Sequence, residues 1–292
     1  MGDVLAGFHA VWEFDTDSVL IRFERGIRRP RLFQALGERR IPYEALRSVE
    51  LSQGRRGTVV LHAVPRHGAD PLMEAADGQL KEDADPYRLV LPAERETLAE
   101  FYGDELRGML GPDAHKPADR HLVAAPEPPM HFKAYDAKAS FDGSAVAFRW
   151  FWTGASSAKW KSGDQSFPVG ELTGVEWRSP EIFNGYLRLL GRGDRDDGPG
   201  EADQDPAAVV FGLGYGPVHE SLPFAAAVLQ AVRAAGAVAD TADREPMRRA
   251  GDTRRDPADI ADRIRHLGDL HEAGLLTDDE FSAKKADLLA EL

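Results

Sequence analysis

Seven arginines near the start of the chain are the side chains with the clearest capacity for chemistry. Within residues 22–40 they are accompanied by only two acidic residues, Glu24 and Glu38. A guanidinium group presents a planar fork of N–H donors that matches the oxygens of phosphates and carboxylates. The set therefore predicts an anion-binding hairpin, or alternatively a solvated hairpin that arginine keeps soluble. Its members are Arg22, Arg25, Arg28, Arg29, Arg31, Arg39 and Arg40.

Histidines and acidic residues do not form a recognisable metal site in the sequence. The histidines are scattered, and the two nearest pairs are separated by five residues instead of the four that share a helix face. The acidic run 194–205 fails the calcium-loop pattern, because Gly198 comes one position early for the sharp turn. We expect no metal, and we interpret both this run and the acidic run 70–83 as solvated loops.

Motifs for catalysis or cofactor binding are also missing. The glycine-rich segment 212–216 departs from the dinucleotide-binding pattern and has no βαβ context. No nucleophile elbow occurs, and no Ser, His and Asp arrangement stands out. We therefore predict a chain that is not an enzyme and holds no cofactor.

Composition narrows the class of protein further. A net charge of -13 argues against a general nucleic-acid binder, because phosphate contacts need a basic field. Cysteine is absent, so neither disulfides nor thiolate chemistry are available. We see no secretory signal and no apolar run long enough to span a bilayer. These features favour a cytoplasmic location.

The elements that must position the arginines occur twice. Phe14-Asp15 returns as Phe141-Asp142, and Ile41-Pro42 returns as Phe167-Pro168. A Leu-x-x-Val-Glu pattern follows each proline. Ordered matches at a near-constant offset indicate two copies of one folding unit.

Each copy is typical of short antiparallel strands closed by one helix, which predicts an α+β fold. Apolar residues alternate with outward-facing positions, as half-buried strands require. The inward positions are Val19, Ile21 and Phe23 in the first copy and Val146, Phe148 and Trp150 in the second.

Helical spacing then predicts the closing helix of each copy. In the first copy the apolar stripe consists of Leu98, Phe101, Tyr102, Leu106 and Met109. In the second copy we expect Ser221 to cap the helix and Gly236 to end it.

These patterns divide the chain into five segments. We predict a first repeat at 1–112, a proline-rich linker at 113–129, a second repeat at 130–237, a charged linker at 238–255 and a helical hairpin at 256–292.

The strand order and final helix resemble the pleckstrin-homology-like fold. The duplicated Phe-Asp and Leu-x-x-Val-Glu patterns are similar to a bacterial family of unknown function that carries two such units in tandem. The resemblance implies two strongly bent antiparallel sheets, or barrels, each with a C-terminal helix. It also implies that basic residues on the first hairpin, here the arginine set, hold the phosphates of anionic lipids.

The last segment has a signature of its own. One predicted helix carries an apolar stripe, Gly274 ends it, and Thr277 with Glu280 forms a capping box for the next helix. The segment resembles the short C-terminal domain called SHOCT, which implies assembly or docking. The apolar residues that we expect to bind a partner are Ile260, Ile264, Leu267, Leu270, Phe281 and Leu288.

Aromatic residues mark a further candidate surface in the second repeat. Alternation places Phe151 outward beside Trp152, next to a turn, and Trp160 follows shortly after. These side chains predict a partner-binding patch, or alternatively a contact with the first repeat.

The patterns together favour a non-catalytic binding or scaffold protein. Its repeats would present a recognition surface, and residues 256–292 would self-associate or bind a protein partner. The alternative is a peripheral protein recruited to an anionic lipid surface through Arg22–Arg40.

Overall fold

A computed structural model describes residues 3–26, 29–182, 184–192 and 200–244. The predicted hairpin 256–292 and most of the charged linker lie outside the described residues. The chain divides into two compact units, Met1–Ala239 and Asp240–Leu292. The elements below belong to the first unit, except for the end of the last helix.

The first repeat forms a four-stranded sheet, in the order β1-β2-β3-β4, and a three-stranded sheet, β5-β6-β7. Its strands are β1 (Asp3–Ala6), β2 (Ala10–Phe14), β3 (Ser18–Phe23), β4 (Glu38–Pro42), β5 (Leu46–Gln53), β6 (Thr58–Pro65) and β7 (Arg88–Pro92). Its helices are α1 (Arg31–Leu36), α2 (Pro71–Ala76) and α3 (Glu96–Gly108), with short 3-10 turns at Tyr43–Ala45, Glu82–Ala84 and Ala93–Arg95.

The second repeat has the same plan, with the sheets β11-β10-β9-β8 and β12-β13-β14. Its strands are β8 (Met130–Lys133), β9 (Ala137–Phe141), β10 (Ala145–Trp150), β11 (Gln165–Pro168), β12 (Leu172–Arg178), β13 (Tyr186–Gly191) and β14 (Ala208–Val210). Its helices are α4 (Ser157–Ser162) and α5 (Val218–Arg244), with a 3-10 turn at Val169–Glu171. The predicted α+β class is confirmed; within the described residues the two sheets of each repeat are separate and do not close into a barrel.

Strand register confirms that the copies are equivalent. Phe14 pairs with Val19 in the first repeat, and Phe141 pairs with Val146 in the second. The predicted inward side chains of β3 and β10 are buried. Leu20 is buried as well, although alternation places it outward, so the first part of β3 is covered on both faces, whereas Arg22 on the same face is exposed.

Helix α2 corrects our interpretation of the acidic run 70–83 as a solvated loop. Asp70 is buried and accepts a hydrogen bond from the backbone N–H of Leu72, which makes it the N-cap of α2, with Pro71 in the first turn. Leu72, together with two buried alanines of the same helix, then joins the hydrophobic core of the second repeat. The run therefore begins with an element that ties the repeats together.

Helix α3 has a different buried face from the predicted stripe. Ala99, Gly103 and Leu106 face the core, whereas Leu98 and Phe101 are exposed. Met109, just beyond the helix, is exposed too. Small residues allow the helix to approach the sheet closely, since a Cβ atom on Gly103 would lie 3.3 Å from Leu61. This close approach turns three large apolar side chains toward solvent.

Helix α5 also differs from the prediction at both ends. It begins at Val218, and Ser221 lies inside it, where its hydroxyl donates to the Gly216 carbonyl and accepts from the Trp177 indole. It continues through Gly236 to Arg244, because the alanine-rich flanks outweigh the cost of about 1 kcal/mol for one internal glycine. No helix in the described part of the chain has the length and hydropathy needed to cross a membrane.

Candidate functional site

Most of the arginine set is already engaged by neighbouring carboxylates. Arg22 contacts Glu13 at 2.5 Å and Glu38 at 3.6 Å, and Arg40 contacts Asp15 at 2.5 Å. Other members are engaged too, since Arg29 pairs with Glu24 and also contacts His9. These ion pairs reduce the positive field that an anionic surface would meet.

Arg39 is not a surface residue, so its assignment to an exposed basic set was wrong. Its guanidinium donates to the Asp70 carboxylate at 2.7 Å and to the Tyr87 hydroxyl at 3.1 Å, and all three side chains are buried. Burial opposes the charged form of Arg39, but the neighbouring Asp70 and Tyr87 outweigh it and raise the arginine pKa. Burial likewise raises the pKa of Tyr87 well above its ordinary value. The triad is a structural element of the core.

Two members of the set are exposed without an ion-pair partner among the described residues, namely Arg25 and Arg31. Arg28 lies outside the described residues. The arginine set therefore divides into paired, buried and unpaired members, and the structure does not bring all of them to one site.

The aromatic residues predicted from the second repeat do lie together. Trp152 and Trp160 meet edge to face, with ring centroids 5.6 Å apart. Their exposed fractions of 78% and 49% show that neither ring is covered by the first repeat. The Lys133 ammonium lies 5.3 Å from the ring centroid of Phe151, which places Phe151 beside a cation on the same side of the sheet.

Two tyrosines and a leucine, which the sequence analysis did not identify as binding residues, extend this patch. Lys133 also lies 5.2 Å from the ring centroid of Tyr215, and Tyr215 in turn contacts Tyr135 edge to face. Leu213 is fully exposed at the tip of the glycine-rich turn. We call these six residues the aromatic surface: Tyr135, Phe151, Trp152, Trp160, Leu213 and Tyr215.

Local sequence explains why these side chains point outward. After β10 the chain turns at Gly154, where a Cβ atom would lie 2.3 Å from the Tyr135 carbonyl oxygen, so the turn accepts no side chain. Ser156 then caps α4 by accepting the Lys159 N–H, and the short helix carries Trp160. The turn and the short helix thus hold the tryptophans against each other on the outside.

A buried ion pair connects α4 to the turn between β8 and β9, next to the two tryptophans. Lys159 and Asp136 are buried, with Nζ and Oδ2 separated by 2.6 Å. Asp136 also accepts the N–H of Val210, which ties the β8–β9 turn to β14. Burial raises the pKa of Asp136 and lowers the pKa of Lys159, and each partner opposes the shift of the other.

A cleft of 1130 Å³ lies between the repeats and contains part of the arginine set. Its lining includes two histidines beside arginines: burial and Arg29 lower the pKa of His9, while burial and Arg31 lower the pKa of His219. Two ion pairs also line it: Lys81 with Glu181 at 3.0 Å, and Arg88 with Glu82 at 3.5 Å.

The described residues contain no group of three or more His, Asp or Glu side chains arranged to hold a metal ion. In the cleft the mixed charges and apolar walls suit the binding of a ligand or peptide segment.

Comparison with known proteins places these features in a family. The family model described as Domain of unknown function (DUF4429) matches residues 12–107 and again residues 139–229, which together make up more than half of the chain. The model for the Short C-terminal domain, SHOCT, matches residues 262–289. No curated protein matches the chain. The chain therefore belongs to the DUF4429 family, with two tandem copies of its domain followed by a C-terminal SHOCT domain.

Proposed function

We propose that this chain is a non-catalytic scaffold protein that binds a second copy of itself. The aromatic surface of the second repeat is the observation that carries this proposal. Residues 256–292 supply a second contact, in keeping with the apolar stripes in their sequence. The two contacts lie in different parts of the chain.

The aromatic surface has the composition of a protein interface. Trp and Tyr are enriched among the residues that dominate binding energy, and large exposed apolar patches mark interaction sites. Trp152 and Leu213 leave most of their surface in water, which costs free energy that a partner would recover.

A second copy of the chain is the partner that we propose for the aromatic surface. If residues 256–292 bring two copies together, a weak contact at the aromatic surface becomes intramolecular in effect. Effective concentrations for such linked contacts reach the millimolar range, so modest affinities suffice. A weak second contact would then hold the assembly in one arrangement.

Recruitment to anionic lipid through the arginine set is the weaker proposal. It rests on Arg25 and Arg31, because the carboxylates beside Arg22, Arg29 and Arg40 offset their charges and Arg39 is buried. Exposed charges are also screened at physiological salt, where the Debye length is about 8 Å.

Replacing both tryptophans is expected to weaken self-association of the full chain. We expect Trp152→Ser combined with Trp160→Ser to raise the dissociation constant at least about tenfold, because aromatic anchors carry much of the energy of an interface. Sedimentation velocity over a concentration series measures the effect.

The matched control is the double variant Leu98→Ser and Phe101→Ser, which removes two exposed apolar side chains from the first repeat instead. It should change the dissociation constant less than about twofold. Equal losses in both double variants would show that general surface hydrophobicity, and not the aromatic surface, drives association.

A further inference from the structure

The outer face of the β8–β11 sheet carries three cations side by side. Lys133 pairs with Lys138 across β8 and β9, and Lys138 pairs with Arg149 across β9 and β10. All three side chains are exposed. Cβ atoms of directly opposed residues lie only about 5 Å apart in an antiparallel sheet. We call this row the cationic rung.

Like charges placed in register destabilise a sheet. Here the rings of Phe151 and Tyr215 beside Lys133 offset part of this repulsion. Arg149 contacts Asp164 at 3.4 Å, but both groups are largely exposed. Among the described residues no carboxylate forms an ion pair with Lys133 or Lys138. The rung therefore holds unpaired positive charge on a protein whose net charge is -13.

The first repeat shows that the fold does not require this arrangement. Its equivalent row is Ala6, Val11 and Arg22, which occupy the same register positions across β1, β2 and β3. There the single cation, Arg22, is paired with two carboxylates, those of Glu13 and Glu38. At these register positions, a row of three cations thus occurs in the second repeat and not in the first.

Hydrogen-bond donors continue along the same face. A shallow pocket of 260 Å³ adjoins the rung and is lined by Lys138, His131, Ser140 and Ser166. The one carboxylate in its lining, Asp142, already accepts from the backbone N–H groups of Ser144 and Ala145 and from the Ser144 hydroxyl. These hydrogen bonds lower its pKa and occupy one of its oxygens.

We propose that the cationic rung and the adjoining pocket bind phosphate groups of a ligand that carries at least two of them. Two ammonium groups and a guanidinium suit phosphate oxygens, and the Ser166 hydroxyl can donate a further hydrogen bond, whereas the Ser140 hydroxyl already donates to the Ala147 carbonyl. Binding would relieve the repulsion within the rung. The site adjoins the aromatic surface through Lys133, whose ammonium lies over the rings of Phe151 and Tyr215, but it involves neither the tryptophans nor residues 256–292.

Tripolyphosphate is the probe that tests this site with the full chain. We expect saturable binding by isothermal titration calorimetry that weakens with rising salt. Lys133→Gln with Lys138→Gln should lower the affinity at least about tenfold. Arg25→Gln with Arg31→Gln, which removes two unpaired cations from the first repeat, should leave it within about twofold.

Two further arms identify the ligand class. Vesicles containing a phosphorylated inositol lipid test whether the phosphates belong to a lipid headgroup. Binding to either the vesicles or tripolyphosphate supports the site if replacement of Lys133 and Lys138 weakens that binding. Binding to neither, equal loss in the arginine control, or equal affinity for polyglutamate of matched charge would overturn it.

Stability of the ligand-free chain provides a readout that does not depend on the probe. Lys138→Glu places a carboxylate between two cations, so it should abolish binding while raising the Tm by about 1–3 °C. A lowered Tm would contradict the repulsion on which the proposal depends.

Discussion

Asp70→Ala is expected to lower the free energy of unfolding by about 3–5 kcal/mol at neutral pH. The substitution leaves the buried Arg39 guanidinium without its counter-charge and removes the acceptor of the Tyr87 hydroxyl. It also removes the N-cap of α2, which holds the two repeats together. Urea denaturation followed by far-UV circular dichroism measures the loss.

A neighbouring ion pair provides the matched control. Arg40 and Asp15 lie at a similar distance from each other, but their side chains are 51% and 44% exposed. Asp15→Ala should therefore cost less than about 1 kcal/mol. If the two substitutions cost the same, the buried triad has no special role in the stability of the fold.

Combined replacement distinguishes a broken ion pair from a lost contact. The triple variant Arg39→Met, Asp70→Leu and Tyr87→Phe removes every polar group of the triad at similar volume. We expect it to regain much of the stability that Asp70→Ala loses, because no buried charge stays unpaired.

Lys159→Met should have an effect of similar size in the second repeat. It leaves the buried Asp136 with backbone N–H groups, including that of Val210, in place of a counter-charge, so we expect a loss of about 3–5 kcal/mol at pH 7. Adding Asp136→Asn should recover much of this loss, since asparagine keeps the acceptor and carries no charge.

Dependence on pH gives the Lys159→Met variant a distinct signature. Burial raises the pKa of Asp136 above its ordinary value of 3.8, and removal of the lysine raises it further. The folded chain then keeps a proton that the unfolded chain has lost, so stability falls as pH rises from 3.8 toward the folded pKa. The variant should be closer to the wild type at pH 4–5 than at pH 7. A deficit that is constant across this range would show that lost packing, and not the charge, is responsible.

The alternation of residues on β4 predicts that Arg39 is buried, although its charge suggests a surface position. Arg39 and Ile41 are two residues apart on β4, and Ile41 is a core residue, so alternation places Arg39 on the buried face. Grouping arginines by proximity along the chain obscured this. Asp70 followed by Pro71 was likewise a helix N-terminus signal within a run that looked merely acidic.

Other features depend on contacts that local patterns do not specify. Lys159 meets Asp136 across 23 positions of sequence, so no spacing rule connects them. On α3 both the predicted stripe and the observed face have helical spacing, and only the closeness of the sheet selects Ala99 and Gly103. The tandem repeats and the α+β class were predictable, because each depends on periodicity or on repetition. Alternation placed Phe151 outward, whereas the structure leaves Phe151 half-buried and exposes Trp152 instead.

Static light scattering on the full chain tests the scaffold proposal most directly. The proposal predicts a mass above the 32.0 kDa of one chain that rises with concentration. Leu267→Asp with Leu270→Asp should return the mass to that of a monomer, because a charge on the apolar stripe opposes its burial. A wild-type chain that stays at 32.0 kDa up to about 100 μM, well above typical dissociation constants of specific assemblies, would contradict the proposal.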